Sequence, residues 1–294
     1  MRVGFIGCIK LSEQALKTLL NVDGLNLCSL ITLQTSNFNS DFADLSDLAN
    51  SHNIPTFFAD NRSQDEIAEF LNIHSPDVVF CLGWSHLLGK QILQIPPRGV
   101  IGYHPSALPH NRGRHPTIWA LALGLKETAS SFFLMEEKAD TGPLVNQIAI
   151  PLTREETASS LHKKLGKTIE QQIHQICIDL KSNNLKLEPQ KLINSNYWRK
   201  RSRQDGLIDW RMSAESIYNL VRALSSPYPG AEFEYAGERS IVWAAKIEIN
   251  VPGNIEPGKI LNVRGRQILI KCGEHAVWLL DHECKNIPKI GEYL

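Results

Sequence analysis

Through the first half of the chain, short apolar runs alternate with stretches whose apolar residues fall at helical spacing. Arg2–Ile6, Leu27–Leu33 and Val78–Leu82 read as buried strands, while Glu13–Leu20 and Asp65–Leu71 read as helices. That rhythm predicts βαβ units on a parallel sheet, a doubly wound α/β fold. Val100–Tyr103, Ser130–Leu134 and Leu144–Ile150 add strands, and Ala158, Leu161, Leu165, Ile169, Ile173, Ile176 and Leu180 recur every three to four residues as one long helix. The helix closes a first domain at 1–185. Residues 186–204 are polar and mixed and carry the basic cluster Arg199–Arg203, so they read as an interdomain linker. In 205–294, Ser213 caps a short helix with Ile217, Leu220, Val221 and Leu224 on one face. Five strand-like runs follow, Ala231–Tyr235, Ser240–Ile249, Gly258–Val263, Gln267–Cys272 and Ala276–Leu280, which predict a small barrel or sandwich.

A length of 294 residues suits two domains, and 43% hydrophobic with 21% charged residues is the balance of a water-soluble chain. No run of about eighteen apolar residues is present to cross a bilayer. The start MRVGFIGC lacks the basic and long apolar stretches of a secretory signal, so the expected location is the cytoplasm. Lys+Arg and Asp+Glu both number 31 and the formal net charge is zero, which removes the long-range attraction that extensive nucleic-acid binding needs. The six cysteines are scattered without a C-x-x-C pair and read as reduced and structural.

Candidate chemistry concentrates in VIGYHPSALPHNRGRHP, residues 100–116, where a strand runs into a polar loop. Ligands of open α/β sheets bind beyond the carboxyl ends of the strands, which singles out His104. A second loop, FFLMEEKADTGP at 132–143, carries Glu136, Glu137 and Asp140. Should the two loops share one sheet edge, Asp140 would hold the His104 tautomer and raise its basicity. His104, His110, His115 and Asp140 offer metal-ligand chemistry, but their spacing fits no two-His helix motif and no metal is expected.

The opening MRVGFIGCIKLSEQALKTLL, the stretch HPSALPHNRGRHPTIWAL, the loop EEKADTGPLVNQ and the later RQDGLIDW and NLVRALSSPYPGA together resemble the folate-dependent formyltransferases in order and spacing, over nearly the whole chain. The resemblance implies a Rossmann-like domain that uses 10-formyltetrahydrofolate, followed by an OB-like barrel. An acceptor amine attacks the formyl carbon, His104 handles the proton and Asp140 tunes it. It also implies folate contacts from His86, Leu87 and Leu88, from Glu136, Glu137, Lys138, Ala139 and Asp140, and from Arg114. The family's N-x-H motif departs here to Gly102-Tyr103-His104, removing the carboxamide expected to donate to the oxyanion. Loss of one such donor costs on the order of a hundred- to a thousandfold in rate. A protonated His104, a backbone N–H freed by Gly102, a water or Asn111 remain as substitutes.

Three acceptor readings follow. In the tRNA enzyme of this family a basic loop after the second strand grips the acceptor stem, whereas Thr32–Asp47 here has no Lys or Arg but has Asp41, Asp44 and Asp47. A nucleotide-linked amino sugar for surface polysaccharide synthesis is therefore the favoured acceptor, with methionyl-tRNA as an alternative and a non-catalytic folate- or sugar-nucleotide-binding homologue as another because of Gly102. For the sugar nucleotide, Arg112 and Arg203 are candidates for acidic oxygens, Asn111 for a polar contact, and Tyr103, Tyr228, Trp84 and Trp119 for stacking. The expected partner is a small molecule, neither membrane nor nucleic acid, and a homodimer is left open.

Overall fold

The computed structural model describes residues 1–36, 40–61, 63–191, 193 and 195–294. In chain order the elements are β1 Arg2–Ile6, α1 Lys10–Leu20, β2 Asn26–Thr32, α2 Ser46–Ser51, β3 Thr56–Phe58, α3 Gln64–His74, β4 Val78–Cys81, α4 Lys90–Leu93, β5 Val100–His104, β6 Arg112–Gly113, α5 Pro116–Ala122, β7 Glu127–Leu134, β8 Leu144–Pro151, α6 Ala158–Lys181 and β9 Tyr197–Trp198. They continue with a 3-10 turn at Arg203–Gly206, α7 Ala214–Ala223, β10 Ala231–Tyr235, β11 Glu238–Glu248, β12 Ile260–Arg264, β13 Gln267–Lys271 and β14 Ala276–His282.

The larger sheet has seven strands in the order β3-β2-β1-β4-β5-β7-β8. Its β1–β5 pairings are parallel, as the βαβ rhythm requires, and β7 joins β5 antiparallel with Gly102 opposite Phe133 and His104 opposite Ser131. Strand alternation sorts the side chains onto two faces. Ile6, Ile31, Val79, Cys81 and Val100 pack on one face against Ile67 and Leu71 of α3 and Ile92 of α4. Helix α3 starts where the Ser63 hydroxyl accepts from the Glu66 amide and stops at Ser75, whose φ is +41°. On the opposite face, Gln172 of α6 donates to the Ser130 carbonyl and accepts from its hydroxyl, so a polar group among the apolar positions of α6 is satisfied.

The chain divides into two compact units: Met1–Pro116, Thr128–Ile150 and His162–Trp198 form one, and Thr117–Glu127, Pro151–Leu161 and Arg199–Leu294 the other. The second is built on a five-stranded antiparallel sheet of order β10-β11-β14-β13-β12, with α7 against β11. The Ser213 hydroxyl caps α7 by accepting from the Ser216 amide. Buried Arg222 ties α7 to the carbonyls of Glu156 and Leu121 within the same unit. Among the described residues no helix is long and apolar enough to cross a membrane.

Candidate active site

His104 is the last residue of β5, on the face that carries Val100 and Gly102, and is 6% exposed. Its Nε2 lies 2.9 Å from the Asn111 carbonyl oxygen, which can only accept, so Nε2 carries the proton. In the neutral ring the lone pair then sits on Nδ1, which faces Asp140 Oδ1 across 3.7 Å. The other Asp140 oxygen accepts from the Gly113 amide at 2.8 Å. The two loops singled out in the sequence thus meet at the carboxyl end of β5, with one imidazole lone pair and one carboxylate oxygen facing each other.

Both loops hold backbone conformations that L-residues seldom adopt: φ is +62° at Asn111, +54° at His115 and +58° at Asp140. Each costs of order 1 kcal/mol and needs surrounding contacts to persist. Gly113 has φ +100°, and a Cβ there would lie 2.4 Å from the Trp198 carbonyl oxygen; at Gly142 a Cβ would lie 1.7 Å from that of Leu134. The loops close only because those two positions are glycine.

Much of the support comes from the segment read as a linker. Strand β9 pairs in parallel with β6, Tyr197 beside Arg112 and Trp198 beside Gly113. The Asn196 side chain accepts from the Asn111 amide at 2.7 Å and donates to its side-chain oxygen at 3.1 Å. Gln190 accepts from the Arg112 guanidinium at 2.7 Å and donates to the Asp140 and Gly142 carbonyls at 3.0 and 2.7 Å. Residues 192 and 194 of that segment, like 37–39 of the acidic stretch after β2, lie outside the described residues.

The remaining candidates separate. Arg114 reaches across to donate to the Ser85 carbonyl at 2.6 Å, joining the His104 loop to the loop of His86 and Leu87. Leu87 is exposed and Glu136, Glu137 and Lys138 form an open rim beside Ala139 and Asp140. Leu88 is corrected: it is core, packed with Ile67 and Ile92, because its loop folds back onto the α3 and α4 face. Tyr103 is corrected as well. Strand alternation turns it to the side opposite His104, where its ring packs on Phe132 and its hydroxyl lies 3.1 Å from that of Ser130; burial pushes its acidity well down. Arg112 is fully buried against the Tyr197 ring, its Nε without a partner, so it is no surface fork for a diphosphate.

Arg203, Tyr228 and Trp119 belong to the other unit. The Arg203 fork is taken by Glu232 at 2.9–3.1 Å, and Trp119 lies under the guanidinium groups of Arg199 and Arg201. Those contacts engage the Arg203 guanidinium and the Trp119 ring. Among the described residues no three His, Cys, Asp or Glu side chains come together as a metal site.

A residue the sequence did not point to, Met135, stands beside Gly102. A Cβ on Gly102 would lie 2.6 Å from Met135 Cγ and 3.1 Å from its sulfur. The thioether fills that space, and it offers no donor. Gln190, Asn196, Tyr197 and Trp198 were also missed, although an adjacent Tyr-Trp pair in an otherwise polar stretch is the signal of a segment that packs.

Two family models match the chain: formyl transferase over residues 34–176 and formyl transferase C-terminal domain over residues 200–294. Similar solved structures include HypX from Aquifex aeolicus in complex with tetrahydrofolic acid, at 16% identity and TM-score 0.67 over 97% of this chain and 44% of that one. The chain therefore spans under half the length of HypX. An N-formyltransferase from Helicobacter canadensis in complex with folinic acid and dTDP-3-aminofucose matches at 14% identity and TM-score 0.70, over 94% of this chain and 98% of that one. Methionyl-tRNA formyltransferase from Clostridium thermocellum matches at 18% and 0.62, over 85% and 95%. At such identities the likeness is one of fold, and it is the two matched models, in order and over the stretches where all but the opening motif lie, that make this chain a member of the formyl transferase family.

Proposed function

We propose that the protein transfers a formyl group from 10-formyltetrahydrofolate to the amine of a nucleotide-linked amino sugar. The observation that carries the reading is the His104–Asp140 pair, with buried His104 tied through Nε2 to Asn111 and its Nδ1 turned to the carboxylate. Bound beside it, the folate supplies the formyl carbon. The loop after β4 suits a flat heterocycle: the Trp84 Nε1–H is buried without a partner and Leu87 of the same loop is 60% exposed.

As the neutral acceptor amine attacks the formyl carbon, His104 Nδ1 takes the proton its nitrogen releases, the Asp140 carboxylate accepts a hydrogen bond from the same N–H and balances the imidazolium, and that proton then goes to the folate nitrogen as its bond to the formyl carbon breaks. The Asn111 carbonyl keeps the proton on Nε2 and so keeps Nδ1 basic. Burial of His104 and partial burial of Asp140 strengthen these interactions by limiting access of water. For the acceptor, zero net charge and the acidic stretch after β2 favour a small anionic molecule over tRNA. The Helicobacter enzyme, crystallised with a dTDP-amino sugar, lends this choice further support.

The test is incubation of a panel of amino-sugar nucleotides with 10-formyltetrahydrofolate, read by mass spectrometry for the gain of one formyl group. At least one sugar is expected to react, and His104→Ala is expected to lower turnover by about a hundredfold or more while folate still binds. Folate binding with no reaction on any acceptor would favour the non-catalytic homologue that Gly102 suggests.

A further inference from the structure

The segment between α6 and the second unit does more than connect. We propose that Gln190 and Asn196 are positioning residues of the active site, Gln190 aiming Asp140 and Asn196 fixing His104 through Asn111. The inference rests on His104 and Asp140 being the reacting pair.

Each residue holds one loop by bonds that the loop cannot make for itself. Asp140 sits at φ +58°, and the Gln190 amide donates to the carbonyls of Asp140 and Gly142 on either side of Thr141. Those two bonds define the path of the turn and hence the direction of the carboxylate. The same amide oxygen receives the buried Arg112, whose main-chain amide donates to the Asn196 carbonyl at 3.1 Å. Asn111 sits at φ +62° with both its amide and its side chain bonded to Asn196. Its carbonyl is then presented to His104 Nε2, so Asn196 decides at one remove which imidazole nitrogen is basic. A displacement of about 1 Å in a reacting group costs on the order of a hundredfold in rate, so contacts outside the reacting atoms can govern turnover.

Gln190→Glu separates positioning from support of the fold. Glutamate keeps an oxygen for Arg112, so the buried cation stays paired, but it loses the two donors to the Asp140 and Gly142 carbonyls. The expected result, per folded molecule, is a fall in kcat of roughly tenfold to a hundredfold with KM for folate within about threefold, beside a lower unfolding midpoint because a carboxylate oxygen now faces two carbonyl oxygens. Asn196→Ala is read by nitrogen-15 NMR of labelled histidine: in the wild type the His104 Nε2 is protonated in the neutral ring, and in the variant the two tautomers mix. Wild-type kcat in Gln190→Glu, or a fall only in proportion to lost folded protein, overturns the inference, as does an unchanged His104 signature in Asn196→Ala. His104→Ala is the control: should it leave turnover intact, the reading of the reacting pair fails and not merely the role of the strap.

Discussion

At the scale of single residues, Gly102 packs so closely against Met135 that the pair decides what can stand there. Asparagine at 102 has no room, since its Cβ would meet Met135 Cγ at 2.6 Å and Phe133 Cζ at 3.0 Å. Gly102→Asn is therefore expected to lose about 1–3 kcal/mol of stability by overpacking and to gain nothing in turnover. Adding Met135→Ala opens the space, and the double variant should recover most of that stability; thermal unfolding of the two singles and the double measures the coupling. A gain on the order of a hundredfold in Gly102→Asn alone would show that a donor was simply missing, and the idea of a site adapted to glycine would fall.

At the scale of elements, α6 shows how a helix can be apolar in pattern and polar in detail. Half-buried His162, in its first turns, is pushed down to about 4 by desolvation and then by Lys10 of α1. Below pH about 6.5 the unfolded chain takes up this proton before the folded one does, so the contribution is complete above that pH and is lost as pH falls towards 4. Discounted for partial exposure, the loss is on the order of 2 kcal/mol. Urea unfolding at pH 7 and pH 4.5 should show a smaller drop for His162→Leu than for the wild type, and equal drops would remove His162 from the account. The helix itself was legible because Ala158 to Leu180 repeat at one period, and β1, β2, β4 and β5 because central parallel strands are continuous apolar runs. His104 and Asp140 were legible as polar residues just past strands. Gln190 and Asn196 were not, because their work is done by amide groups on backbone atoms about 50 and 85 residues away in sequence, and no local pattern records such a bond. Strand parity rather than aromatic character decides which way Tyr103 points, onto Phe132 and Ser130.

At the scale of the whole molecule, charge decides what the protein can hold. The tight basic run at 199–203 is largely committed: Arg199 to Asp205 at 2.8 Å, Arg201 to the Asp205 carbonyl and the Trp119 ring, Arg203 to Glu232. With zero net charge behind it, binding of initiator tRNA at physiological salt should stay in the non-specific range of roughly 10⁻⁴ to 10⁻⁶ M. A filter-binding titration tests this, and sub-micromolar affinity together with rapid formylation of methionyl-tRNA would overturn the sugar reading. The pairing of β9 with β6 has one more consequence, in time rather than in space. A chain growing on the ribosome exposes His104 and Asp140 before Gln190 and Asn196 emerge, and Asn196, 85 positions beyond Asn111, must be made before the two can bond. Until then the nascent protein carries His104 and Asp140 without the bonds that hold their two loops, so the last stretch of the first unit to be synthesised is the one that completes the arrangement.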